Sequence, residues 1–140
     1  MALEFFEISI RERLGFDNVC SALTECLGVP VENLVNESAY WELSESEREA
    51  AVSLRIDFSD RGYGVLITGL CFLDIYDEKL WALALCLSKR LKTDVAVGDY
   101  RDEVEGYPDR VAVFSPDGTK AFGIGISDAD GSFDVEFLPR

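Results

Sequence analysis

Apolar residues recur along this chain with two different periods, and the switches between them mark its elements. Leu3, Phe6, Ile10 and Leu14 fall at helical spacing with Glu4, Glu7, Arg11 and Arg13 between them, which predicts an amphipathic N-terminal helix. Phe6, Ile8 and Ile10 taken alone also suit a short strand. A second helix is marked by Asp17 as its cap, by Val19, Leu23 and Leu27 on one face, and by Gly28 and Pro30 as its stop. Together the two predict an αα-hairpin. Residues 31 to 43 have no clear period and read as irregular. Ser44 followed by Glu47 is a capping-box pattern, which opens at most a short turn of helix.

From Val52 the period becomes two. Val52, Leu54, Ile56 and Phe58 alternate with Ser53, Arg55 and Asp57, as in a half-buried antiparallel strand. A turn at Ser59-Asp60-Arg61-Gly62 leads into Tyr63 to Phe72, apolar on both faces like an interior strand, with Gly69 marking a bulge or its end. Asp77 and Glu78 then open a helix, about residues 76–91, whose middle from Trp81 to Leu87 is apolar all round. Such a helix is expected to be the most buried. Its acids at the start and Lys89, Arg90 and Lys92 at the end complement the helix dipole. Short strands follow around Val95 to Val97, Val111 to Phe114, Ala121 to Ile126 and Phe133 to Leu138, separated by turn chemistry at 115–118 and 128–131. The expected fold is a single α+β domain over 1–140: an N-terminal helical hairpin, a mainly antiparallel sheet with one buried central helix, and a C-terminal β-meander.

Composition narrows the function. The 140 residues carry 27 acidic and 13 basic side chains, a net charge of −14, and no histidine. With 48% hydrophobic residues and a mean hydropathy of +0.06, the acid belongs to a folded chain and not to a disordered tail. An acidic chain of this kind lacks the clustered Lys and Arg that nucleic acids and anionic membranes require. The missing histidine removes imidazole acid/base chemistry and His-dependent nucleophile and zinc systems. Cys20, Cys26, Cys71 and Cys86 form no C-x-x-C pair and sit among apolar neighbours, so they read as buried, reduced thiols. The N-terminus has no basic region or long apolar core of a signal peptide, and the expectation is a cytoplasmic protein without a membrane span.

The acid is unevenly placed. Residues 32 to 49 hold six acids against Arg48, and the segment from Asp99 to Asp109 holds five acids and two tyrosines. In that segment Tyr100 and Tyr107 offer rigid contact area, while Asp99, Asp102, Glu103, Glu105 and Asp109 suit arginines and lysines on a partner. Tyr40, Trp41, Glu42 and Glu45 form a second candidate contact patch, with the alternative that Trp41 covers the core beside the first alternating strand. Other chemistries fit less well. Asp128 to Glu136 has its glycine at position 4, where an EF-hand loop needs it at position 6, so Gly131 reads as a hairpin turn. Gly123-Ile124-Gly125 lies inside a strand and reads as a face against which something packs closely. Pairs such as Asp57 with Asp60 or Asp74 with Asp77 are expected by chance among 27 acids. No metal and no cofactor is expected, and the protein reads as a binder and not an enzyme.

The succession from Trp81 to Val97, an acidic loop with Pro108, and then Arg110 to Gly118 resembles the C-terminal half of small immunity proteins from bacterial polymorphic-toxin and contact-dependent inhibition systems. The resemblance covers residues 81 to 118 and rests on a style of helix, strand, acidic loop and hairpin, without a diagnostic motif. It implies a cytoplasmic antitoxin that binds the toxin domain of an effector and blocks its active site. Charge points the same way: a toxin with a basic cleft would be met by an acidic inhibitor, steered to it about 10- to 1,000-fold faster. The expected function is inhibition of a cognate toxin by occlusion of its basic surface. Alternatives are a DNA mimic that binds a nucleic-acid-binding protein, or a small enzyme using carboxylates or a divalent metal.

Overall fold

A computed structural model describes residues 3–73, 75, 78–99 and 109–139. Among these, the elements in chain order are β1 (Glu4–Ile10), α1 (Phe16–Leu27), a 3₁₀ turn (Val31–Asn33), β2 (Leu34–Val35), α2 (Glu37–Glu42), α3 (Glu45–Ala50), β3 (Val52–Phe58), β4 (Val65–Cys71), α4 (Glu78–Leu91), β5 (Val95–Gly98), β6 (Arg110–Phe114), β7 (Lys120–Ser127) and β8 (Phe133–Phe137). The strands form one sheet in the order β2-β3-β4-β1-β5-β6-β7-β8. Every pairing is antiparallel except β2 with β3. The α+β class and the C-terminal meander follow the sequence expectation.

The N-terminal helical hairpin does not. Residues 4 to 10 form β1, which lies between β4 and β5 near the middle of the sheet. Its alternate residues Phe6, Ile8 and Ile10 are all buried. The two-residue period prevailed because β1 has a neighbour on each side to satisfy its backbone, a tertiary fact that local helical spacing does not register. Residues 31 to 43, read as irregular, contain the 3₁₀ turn, β2 and α2. Helix α1 begins one residue before Asp17 with Gly15 as its cap, and it ends as expected with Gly28 at φ 70°. Gly69 makes no bulge: it lies in register opposite Phe6, and a Cβ there would come within 2.0 Å of the phenyl ring.

Helices α1 and α4 pack side by side over one face of the sheet, joining Val19, Leu23, Leu80, Leu83 and Leu87 to the buried strand residues. The burial of α4 is one-sided, taking in Leu80, Leu83, Ala84, Leu87 and Ser88 and leaving Ala82 exposed. Ser88 ties the end of the helix to the sheet, its hydroxyl lying 2.7 Å from the Thr93 carbonyl and 2.9 Å from that of Phe114. On the opposite face a smaller cluster of Tyr63, Ala96, Val111 and Val113 is closed over by Leu66, Phe133 and Val135. It forms because the sheet curls. The turn between β3 and β4 reaches β8, where Gly62 bridges Phe133 and the Tyr63 amide donates to the Phe133 carbonyl at 2.7 Å.

The cysteines correct a second expectation. Cys26 of α1 and Cys86 of α4 are joined by a disulfide across 60 residues, while Cys20 and Cys71 are free. Sixty residues of separation hid a pair that the helix packing brings together. Cys71 matches the expected buried thiol, and burial pushes its pKa up to about 11. Closing a loop of that length removes unfolded-chain entropy worth about 4 kcal/mol in the chain-entropy picture. Oxidised protein should therefore lose up to that much unfolding free energy when reductant is added in a denaturant titration, and a Cys26→Ser variant should show no response to reductant.

Candidate protein-interaction surface

The two acidic segments singled out by sequence leave the sheet toward the same end. Val52 of β3 and Glu4 of β1 both lie opposite Cys71 at the end of β4, so β1 and β3 begin where β4 finishes. Strand β5 runs antiparallel to β1 and finishes toward that same end, where β6 begins. Helices α2 and α3 lead directly into β3, and the segment between Asp99 and Asp109 joins β5 to β6. The roots of the two segments are three to four strands apart, about 14–19 Å along the sheet.

The α2–α3 patch is built by local capping. Asn36 caps α2, its side-chain oxygen accepting from the Ala39 amide at 2.8 Å. Ser44 and Glu47 form the expected capping box of α3, each side chain accepting from the other residue's amide. These caps fix two short helices that could not persist alone. They leave Glu32, Glu37, Glu42, Glu45 and Glu49 exposed and, among the described residues, without an ion pair. Trp41 stands among these acids at 49% exposure, with the Arg48 guanidinium 5.5 Å from its ring centre. Tyr40 is different. It is fully buried, its ring edge-on to Trp41 at 5.3 Å, and burial raises its pKa. Tyr40 therefore supports the patch from beneath and presents no contact area, a correction to its place among the contact residues.

The second segment is anchored at both ends. Asp99, expected to face a partner, has a side chain with 0% exposure and pairs with Arg110 at 2.8 Å. The Asp99 amide also donates to the Arg110 carbonyl at 2.9 Å. Arg110 stacks over Phe122, 4.4 Å from its ring centre, on the helix-covered face. Asp99 is thus a structural anchor. Asp109 is exposed, and its carbonyl accepts from the Gly125 amide at 2.8 Å. Tyr100, Asp102, Glu103, Glu105 and Tyr107 lie outside the described residues.

Comparison with protein-family models, curated proteins and solved structures returns no match. Among the described residues no cluster of three or more His, Cys, Asp or Glu is placed to hold a metal, and no helix is long and apolar enough to cross a membrane. Asp57 and Asp60, paired on paper, each bind a different arginine, Arg55 and Arg13. Gly131 at φ 85° makes the expected hairpin turn, and the Ser132 hydroxyl and amide both donate to Asp130, holding its carboxyl below the ordinary range. Gly123 and Gly125 are packed closely as expected, by Val135 and Phe133 of the neighbouring strand.

Sequence reading missed one surface altogether, the sheet face away from the helices. There Glu7, Ser9, Thr68, Ala96 and Asp109 line a groove of about 400 Å³. The signal was present as the small and polar alternate positions of β1, β4 and β5, which the apolar alternates of the same strands overshadowed.

Removing Asp99 leaves Arg110 without its partner, and breaking a buried pair costs about 3–5 kcal/mol. Asp99→Ala should lower stability by about that amount in a denaturant melt, and a change under 1 kcal/mol would show that the pair anchors nothing. At α3, the Ser44 amide and then its hydroxyl hold the Glu47 carboxyl below its ordinary pKa. Because the folded value is depressed, the box contributes stability above the unfolded glutamate pKa and loses it as pH falls through the folded one. An NMR titration should show Glu47 titrating lower in the wild type than in Ser44→Ala, and equal midpoints would show that the Ser44 hydroxyl adds nothing to what its amide does.

Proposed function

We propose that this protein is an inhibitor of the immunity type, which neutralises a cognate bacterial toxin by laying an acidic surface over the toxin's basic active site. The observation that carries the reading is the convergence just described: two acidic segments far apart in sequence leave the sheet toward one end. A standard protein interface buries about 800 Å² per partner, a patch about 30 Å across. The roots of the two segments, about 14–19 Å apart, fit within one such patch.

Charge bookkeeping supports the same end of the molecule. Arg11, Arg13, Arg55, Arg61, Arg90 and Arg110 each pair with an acid of this chain. Among the described residues none of the glutamates of 32–49 makes such a pair, so their field is directed outward to whatever approaches. Exposed carboxylates beside a large exposed aromatic combine steering with a desolvated anchor, the division of labour that fast, tight complexes use. Trp41 is that anchor. The clustering of these acids at one end, in place of a duplex-like path over the surface, favours occlusion over phosphate mimicry.

The decisive experiment is co-production with the C-terminal domain encoded by an adjacent large gene, scored as growth of the host. Protection is expected from the wild type, and its absence together with no binding of the purified domain would end the immunity reading. Two triple reversals locate the surface: Glu42, Glu45 and Glu49 to Lys, and Asp102, Glu103 and Glu105 to Lys. Each should slow association roughly 10-fold or more at low salt while leaving the melting temperature within a few degrees. An unchanged association rate for both would place the contact elsewhere.

A further inference from the structure

The curl of the sheet gives the molecule a feature that the acidic end alone does not explain. On the face away from α1 and α4, β3 and β4 on one side and β7 and β8 on the other bend toward each other over a groove of about 400 Å³. The bridge between Gly62 and Phe133 joins its two sides near the β3–β4 turn. Toward the opposite end, Glu7, Gly98 and Asp109 line it where the acidic segments leave the sheet. Its floor is made of short side chains, Ser9, Thr68 and Ala96, so the depth comes from what these strands lack.

Among the described residues, the charged groups on the lining are of one sign toward the groove. Glu7, Asp57 and Asp109 line it, and Arg110, the one described cation on the lining, turns its guanidinium to the other face, where Asp99 and Phe122 hold it. Arg55 offsets Asp57 at 3.0 Å, leaving Glu7 and Asp109 without an ion pair among the described residues. A volume of 400 Å³ is at the lower end of ligand-binding pockets and suits one extended stretch of a few residues, not a folded element.

We propose that this groove receives an arginine- or lysine-bearing extended segment of the protein partner, with the cationic side chain between Glu7 and Asp109. The inference rests on the immunity reading and adds to it: the acidic end steers the partner, and the groove holds one of its basic loops. Two carboxylates flanking one cation at the end of the groove give it a pair of charged partners that a single solvated acid cannot. Small side chains at Ser9 and Thr68 let the segment approach the strands closely, so a bulky residue there blocks it.

The test uses isotope-labelled protein alone, titrated with a capped hexapeptide of alternating glycine and arginine. Saturable amide shifts are expected at Glu7, Ser9, Thr68, Ala96 and Gly125. Ser9→Trp should abolish them, and Glu7→Gln with Asp109→Asn should weaken binding roughly fivefold, as loss of two exposed charge contacts implies. Shifts confined to residues 41 to 49, or none at all, would overturn the groove as a docking site. Spermine moving the same amides with equal affinity would overturn the commitment to a peptide segment. The growth assay fails or succeeds independently of this titration, so the two ideas can fall separately.

Discussion

Among the described residues, eight strands and two long helices set the governing constraint: the helices cover one face of the sheet, and the other must deal with its apolar residues unaided. On the covered face Phe6, Ile8, Ile10, Val65, Ile67, Val95 and Val97 meet α1 and α4 and make the main core. On the bare face the strands cannot all be polar, because Val111, Val113 and Val135 belong to strands whose alternate residues face the helices or the open side of the meander. The sheet's right-handed twist lets it curl until Tyr63 and Phe133 meet edge to face at 5.7 Å. That contact hides the apolar residues near one end and leaves the groove beside them. Tyr63 is tightly enclosed there, and burial drives its pKa up to about 12.

The same constraint distributes the charge. Arginines on the strands and turns are consumed within the chain: Arg13 by Asp60 and Arg61 by Asp130 brace the β3–β4 turn against its surroundings, and Arg90 binds Glu25 beside the α1–α4 disulfide. Exposed pairs of this kind add little stability, typically under 1 kcal/mol each. Their larger effect is on the field, since each removes a positive charge that would offset the acids. What remains unpaired, among the described residues, includes the exposed glutamates Glu37, Glu42, Glu45 and Glu49 of α2 and α3.

Local chemistry was readable wherever a signal was self-contained. The strand at Val52 to Phe58, the Ser44–Glu47 box, the glycine stop at Gly28 and the Asp-Gly turn at Gly131 each state their geometry within a few residues, and each forms where expected, although in the strand Ser53 is buried and Phe58 exposed. Errors arose where the deciding partner lies far along the chain. Phe6, Ile8 and Ile10 became a strand because β4 and β5 flank them. Cys26 met Cys86 only through helix packing. Tyr40 and Asp99 looked like surface residues in polar company, yet the buried neighbours that enclose them come from β3, β4 and β6. The groove was illegible for the same reason, since its lining is contributed by strands from every third of the sequence.

The position of β1 carries a consequence for how the protein comes into being. Strand β1 is among the most central, and its second edge is filled by β5, whose residues are synthesised about ninety positions later. At translation rates of about 5–20 residues per second, Phe6, Ile8 and Ile10 wait roughly 5–20 s for that partner. During this interval a flat apolar strand is open to wrong pairings. By its own topology, the centre of the sheet closes only once β5 has been made.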